Sequence, residues 1–250
     1  MIRAETSGRV ARIRFDRLDK KNAITAEMYA MLADALAAAD ADREVRAILL
    51  HGTADCFTAG NDLADFLQRP PADESSPTWR FFKVLPNLAK PVVAAVGGPA
   101  VGIGTTLLLH CDLVYAAPNA RFQMPFVPLG IVPEFASTFL LPLYAGYQRA
   151  AELFLLGQPF TAQKAYEAGL VCSIAEDVLG EAEKAATALA ALPPESIRLT
   201  KRLMKARYGA SVSEAIAEEG RLFRERLGSP EAKEAMSAFL EKRKPDFSRF

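Results

Sequence analysis

Cysteine and histidine are scarce in these 250 residues, and their scarcity removes whole classes of chemistry. The three cysteines, Cys56, Cys111 and Cys172, are odd in number and widely spaced, with no Cys-x-x-Cys motif, and the only histidines are His51 and His110. A disulfide framework and a metal site are therefore not expected. No run approaches the roughly 20 apolar residues of a membrane-spanning helix. Met1-Ile2-Arg3-Ala4-Glu5 carries no apolar signal region, and Ser248-Arg249-Phe250 is not a Ser-Lys-Leu peroxisomal signal. The expected location is a reducing cytoplasm. An excess of either charge is also lacking: 30 Lys+Arg balance 30 Asp+Glu. That balance argues against nucleic acid and membrane as partners, while leaving room for a local phosphate contact. Half of the residues are hydrophobic, enough for one large globular domain or a domain with an appendage, and a small-molecule ligand is favoured.

Strand and helix patterns alternate through the first part of the chain. Ala11, Ile13 and Phe15 alternate with Arg12 and Arg14, a half-buried strand. Thr25 is placed to cap a helix whose Met28, Leu32, Leu36 and Ala39 share one stripe. Val45 to Leu50, Pro91 to Val96 and Leu113 to Ala117 read as further strands, and Thr105 to His110 as a buried helix. Arg69 to Pro77, rich in proline and charge, reads as a mobile loop. After about Tyr147 strands largely stop. Helical patterns then cover Gln148–Leu156, Ala162–Ala168, Leu179–Leu192, Glu195–Arg207, Val212–Leu227 and Pro230–Lys242, with breaks at Pro193-Pro194 and Gly228-Ser229-Pro230.

Two glycine-bearing turns carry the most chemistry: Phe57-Thr58-Ala59-Gly60-Asn61-Asp62-Leu63, and Gly97 through Thr106 with Gly98, Gly102 and Gly104 inside it. Each follows an apolar strand-like run and opens into a helix-like one, so each can leave backbone N–H groups pointing at a ligand. Two such turns facing one point would form an oxyanion hole, the donor arrangement that dominates much acyl-group catalysis. Glycines also punctuate ordinary strand-to-helix turns, and pattern alone leaves both readings open.

Taken in order, the two turns, Cys111-Asp112, Leu129-Gly130-Ile131-Val132-Pro133-Glu134, the run from Ala162 to Val171 and the tail from Phe239 to Lys244 resemble the crotonase (enoyl-CoA hydratase/isomerase) family over nearly the whole chain. The resemblance implies an α/β spiral of β-β-α repeats over residues 1–190, and a C-terminal helical region over 191–250 that builds a homotrimer or hexamer. An acyl-CoA thioester is the implied substrate, with no separate cofactor. It further implies that the thioester oxygen is held by the backbone amides of Asn61 and Ile103. Lys20, Lys21, Ala59 and Lys242 are the candidate contacts to CoA. The family often has another lysine shortly after the first turn, where this chain has Ala64.

Carboxylates decide the reaction in such a protein. The positions that hold the two water-activating glutamates of a hydratase are Thr106 and Phe126 here, and neither is a carboxylate acid or base. Glu134, eight residues after Phe126, resembles the single glutamate of Δ3,Δ2-enoyl-CoA isomerases, and the two glycine turns resemble the peroxisomal type. Its neighbours Ile131, Val132 and Phe135 are apolar, which would raise its proton affinity by desolvation. A structural alternative reads Pro133-Glu134 as the start of a helix, where a negative charge is favoured. The functional alternatives are a hydratase using Glu134 alone and a catalytically silent acyl-CoA binder. Asp62 is read as a helix cap, Asp112 as structural, His51 and His110 as satisfied core histidines, and Ser137 and Thr138 as groups that could orient Glu134.

Overall fold

The computed structural model describes residues 1–69, 73 and 75–250, of Leu67 and Leu240 the backbone alone. Among the described residues there are two sheets and a helical layer. The larger sheet orders its strands β1 (Ile2–Ser7), β2 (Val10–Phe15), β3 (Ala47–His51), β4 (Val92–Val96), then β6 (Leu113–Ala116) and β9 (Ser173–Ile174). The β1–β2 hairpin is antiparallel and every later pairing in that sheet is parallel. The smaller sheet joins β5 (Pro99–Val101), β7 (Arg121–Gln123) and β8 (Phe160–Thr161).

Parallel strands covered on both faces read as continuous apolar runs, and β3 and β4 do so. On one face Ile48, Leu50, Val92, Ala94 and Val96 join the main core with Met28, Leu32 and Leu36 of α1 (Ala26–Ala41). On the other, Leu49, Val93 and Ala95 pack on Val178, Ala182, Ala186 and Ala190 of α8 (Val178–Ala191). The expected Thr25 cap is present, its side chain accepting from the Met28 amide.

Between β3 and β6 lie α2 (Leu63–Gln68), α3 (Pro77–Val84) and α4 (Ile103–Thr106), the last tightening into a 3-10 turn over Leu107–His110. The loop expected over Arg69–Pro77 falls in part on residues 70–72 and 74, outside the described residues, and Pro77 itself opens α3. Downstream come α5 (Ser137–Ala145), α6 (Tyr147–Leu156) and α7 (Ala162–Glu167), then α9 (Pro194–Ala206), α10 (Gly209–Leu227) and α11 (Pro230–Leu240). Among these, α10 packs against α5, and α11 against the short helical turn Val127–Leu129. Among the described residues no helix is long and apolar enough to cross a membrane.

One expectation about the site is corrected. Pro133-Glu134 does not start a helix: Phe135 and Ala136 both adopt left-handed backbone, at φ 64° and 54°, and α5 begins only at Ser137. Glu134 therefore lies outside the helix, and its charge is no first-turn complement to the α5 dipole.

Candidate active site

The two glycine turns back directly onto one another. Thr58 N donates to Pro99 O at 3.0 Å and Val101 N to Thr58 O at 3.1 Å. A Cβ on Gly60, whose φ is 88°, would come within 2.6 Å of Val101 O, and one on Gly104 within 2.6 Å of Thr58 Cγ2. The chain adopts this approach because the spacers have no side chain. None of the backbone hydrogen bonds between the described residues uses the amide of Asn61 or Ile103. Two unspent donors thus stand on adjoining turns, the arrangement an oxyanion requires.

Buried polar groups lock the first turn in place. The Asn22 side chain donates to Cys56 O and Phe57 O at 3.1 and 3.0 Å, while the Thr58 hydroxyl donates to Asn22 O at 2.7 Å and accepts from Gly60 N. The Ala59 amide donates to Lys21 O at 2.9 Å. Exposed Lys20 and Lys21 and partly buried Ala59 are therefore brought together. Lys242 is exposed just past the end of α11, and no described contact joins it to that group.

Glu134 is buried and is followed directly by Phe135, a member of an aromatic cluster. Glu134 is 5% exposed, and among the described residues its Oε1 has no hydrogen-bond partner. Burial, reinforced by the charge of Glu219, pushes its carboxyl up to about 8. The adjacent Phe135 ring stacks on Phe82, with centroids 4.2 Å apart, and contacts Phe81. The Tyr29 phenol of α1 donates to Asn61 Oδ1 at 2.6 Å. Burial and the charge of Glu134 raise Tyr29 well above its ordinary range, so it stays a donor. One side chain thereby links the first turn to the surroundings of Glu134.

His110 supports the left-handed pair after Glu134. Its Nε2 lies 2.8 Å from Phe135 O, so the proton sits on that nitrogen, and its ring packs on Phe135. Burial lowers its pKa to about 3, keeping the imidazole neutral. The remaining candidates are structural in geometry. Asp62 caps α2 through the Ala64 and Asp65 amides and pairs with Arg17 at 2.7 Å. Asp112 accepts from Val92 N and from buried Lys201, each near 2.7 Å or less. His51 Nδ1 contacts Gly52 O. Thr106 and Phe126 are buried, and the Thr106 hydroxyl has no partner among the described residues.

Two residues escaped the sequence reading. Tyr29 sits beside the recognised Met28–Leu32 stripe, and its only signal was a phenol that, once buried, needs a partner. Glu219 shares the buried face of α10 with Ile216 and Phe223, an acid at a core position of a helical stripe. Thr138, expected to orient Glu134, instead donates to Glu219 Oε1 from its amide at 2.9 Å and its hydroxyl at 2.5 Å. Ser137 Oγ is buried and has no partner among the described residues.

Comparison with known proteins agrees with this geometry. The enoyl-CoA hydratase/isomerase family model matches residues 5–249. A crystal structure of an enoyl-CoA hydratase/isomerase from Pseudoalteromonas atlantica superposes with a TM-score of 0.94, at 42% identity and 99% coverage of both chains. "Probable enoyl-CoA hydratase" of Mycobacterium bovis is 32% identical over 99% of this chain and 97% of its own length. Enoyl-CoA delta isomerase 2 of Rattus norvegicus is 35% identical over 98% of this chain and 64% of its own. The chain belongs to the enoyl-CoA hydratase/isomerase family and has the crotonase fold. It is an acyl-CoA-processing enzyme of that family.

Proposed function

We propose that the protein is an enoyl-CoA isomerase that moves the double bond of a 3-enoyl-CoA to the 2-position. The observation that carries this reading is Glu134, a buried carboxyl with an unpartnered oxygen and a pKa raised to about 8, in a site whose hydratase positions hold Thr106 and Phe126. The amides of Asn61 and Ile103 hold the thioester oxygen, and the C2 proton becomes acidic. Glu134 removes that proton, the electron pair delocalises into a dienolate, and the double bond re-forms between C2 and C3 as Glu134 returns the proton at C4. No atom is gained or lost. A group that acts as base and then as acid works best with a pKa near the working pH, which burial supplies here.

In the same reading Lys20, Lys21, Ala59 and Lys242 contact the CoA moiety, and the helices past residue 190 build a homotrimer or hexamer. Exposed Leu199, Leu203, Met204 and Phe239 on those helices support such an assembly. The test compares isomerisation of 3-enoyl-CoA with hydration of 2-enoyl-CoA on matched chain lengths. Isomerisation is expected to be much the faster. Equal rates would favour a hydratase using Glu134 alone, and tight binding of CoA esters with neither reaction would favour a silent binder.

A further inference from the structure

Glu219 is an expensive residue for its position. A carboxylate taken out of water costs several kcal/mol unless it is paired, yet Glu219 is 5% exposed and none of the ion pairs among the described residues includes it or Glu134. It does perform one structural task. Helix α5 begins after left-handed Ala136 with no side-chain cap of its own. Glu219 reaches across from α10 to supply one, its Oε1 accepting the amide and hydroxyl of Thr138. A neutral amide could do the same. The charge and the second oxygen need another explanation, and the buried, unpartnered atoms around that turn point to it: Glu219 Oε2, Ser137 Oγ and Glu134 Oε1.

We propose that Glu219 is a positioning residue for Glu134: through Thr138 it anchors the turn that carries Glu134, and the two buried carboxyls do not ionise independently. This rests on the reading of Glu134 as the base. Two carboxyls in one low-dielectric enclosure resist double ionisation. Hydrogen bonds from the Thr138 amide and hydroxyl favour the anion of Glu219, so Glu219 ionises first, and its charge then makes Glu134 hold its proton more tightly. The effect on the reaction is directional. Glu134 becomes a stronger base at C2 once it has lost its proton.

Among the described residues, the other titratable groups around Glu134 do not vary in charge near neutrality. Tyr29 on α1 is pushed up and stays a phenol. His110, on the helical turn packed against Phe135, is neutral above about 3. From α3 the neighbours are Phe81 and Phe82, and α5 contributes Ser137 and Thr138, none of them charged. Among the described residues around it, Glu219 is the neighbour whose charge changes.

The test is Glu219→Gln, which keeps an oxygen for Thr138 and removes the charge. The melting temperature should stay within a few degrees of wild type, and the rising limb of kcat/KM against pH should move to lower pH by about half a unit or more. A Glu134 carboxyl signal, read by 13C NMR of glutamate-labelled protein and assigned with Glu134→Gln, should titrate earlier by the same shift. That signal does not depend on turnover, so it still reports the pair if the isomerase reading fails. In wild type alone the Glu134 signal should respond to a second ionisation. A single-site curve in wild type, or an unmoved midpoint in the Gln variant, would overturn the pair.

Discussion

The Tyr29 hydroxyl donates to Asn61 Oδ1 over 2.6 Å, which holds the side chain of a residue whose backbone amide is left out of the backbone hydrogen bonds between the described residues. The proposed work at Asn61 is done by the amide, so the side chain should be dispensable. Asn61→Ala is expected to keep most isomerase activity. Tyr29→Phe should cost about 1 kcal/mol, the worth of one hydrogen bond. A double-mutant cycle should show the two losses failing to add. A large loss on Asn61→Ala with the fold intact would place the role on the side chain instead.

Gly60→Val and Gly104→Val should each lose a contribution on the order of 3 kcal/mol to catalysis, the scale of one oxyanion donor. The added Cβ would lie 2.6 Å from Val101 O in one case and 2.6 Å from Thr58 Cγ2 in the other, forcing the turns apart. Gly8→Ala is the control. Gly8 also has positive φ, at 57°, but nothing lies within 4 Å of the added carbon, so that variant should lose stability and keep kcat.

Stability should respond to pH through Glu134 in a defined direction. Its folded pKa, about 8, exceeds the ordinary 4.5, so the folded chain binds this proton more tightly than the unfolded one. The contribution is fully present below about 4.5 and is lost as pH rises through about 8, with Glu219, raised to about 7, adding in the same direction. Thermal melts of Glu134→Gln should therefore fall less steeply with pH than wild type, and the variant should be the more stable at pH 9. Parallel curves would contradict the burial of an ionisable group there. Over the same range kcat/KM of wild type should climb, because only ionised Glu134 accepts a proton.

Much of the fold was legible because its strands and stripes obey simple periods. The α1 stripe, the buried β3 and β4 runs and the late helices all follow from side chains that repeat every two or about 3.6 residues. Strand β1 was not read because only Ile2 of its six residues is buried, which leaves no alternation to detect. Helix α5 was hidden for two reasons: its run Ser-Thr-Phe-Leu-Leu-Pro-Leu-Tyr-Ala has no polar face, and its cap comes from Glu219, over 80 residues away in the chain. The glycine turns stood out by their own pattern, while the role of Glu134 was visible through the family resemblance. Tyr29 and Glu219 were not, because their roles depend on tertiary partners that no local pattern encodes.

Asp112 gives a contrasting prediction. It accepts from Lys201 Nζ at 2.6 Å, and Lys201 is 4% exposed. Removing one member of a buried pair leaves the other charge uncompensated, so Asp112→Ala should destabilise the protein by about 3–5 kcal/mol. Turnover per folded molecule should change little. Denaturant titration alongside active-site-normalised kinetics separates the two, and a selective loss of kcat would move Asp112 into the site.

The most direct measurement is isomerisation of 3-enoyl-CoA by Glu134→Gln, followed together with exchange of the C2 proton of a bound acyl-CoA in heavy water. The substitution keeps size and packing but removes the base. Affinity for the CoA ester and oligomeric state should survive, while both rates fall by a factor on the order of a hundred or more. A Gln variant that isomerises and exchanges at the wild-type rate would show that another group removes the proton, and would contradict the account.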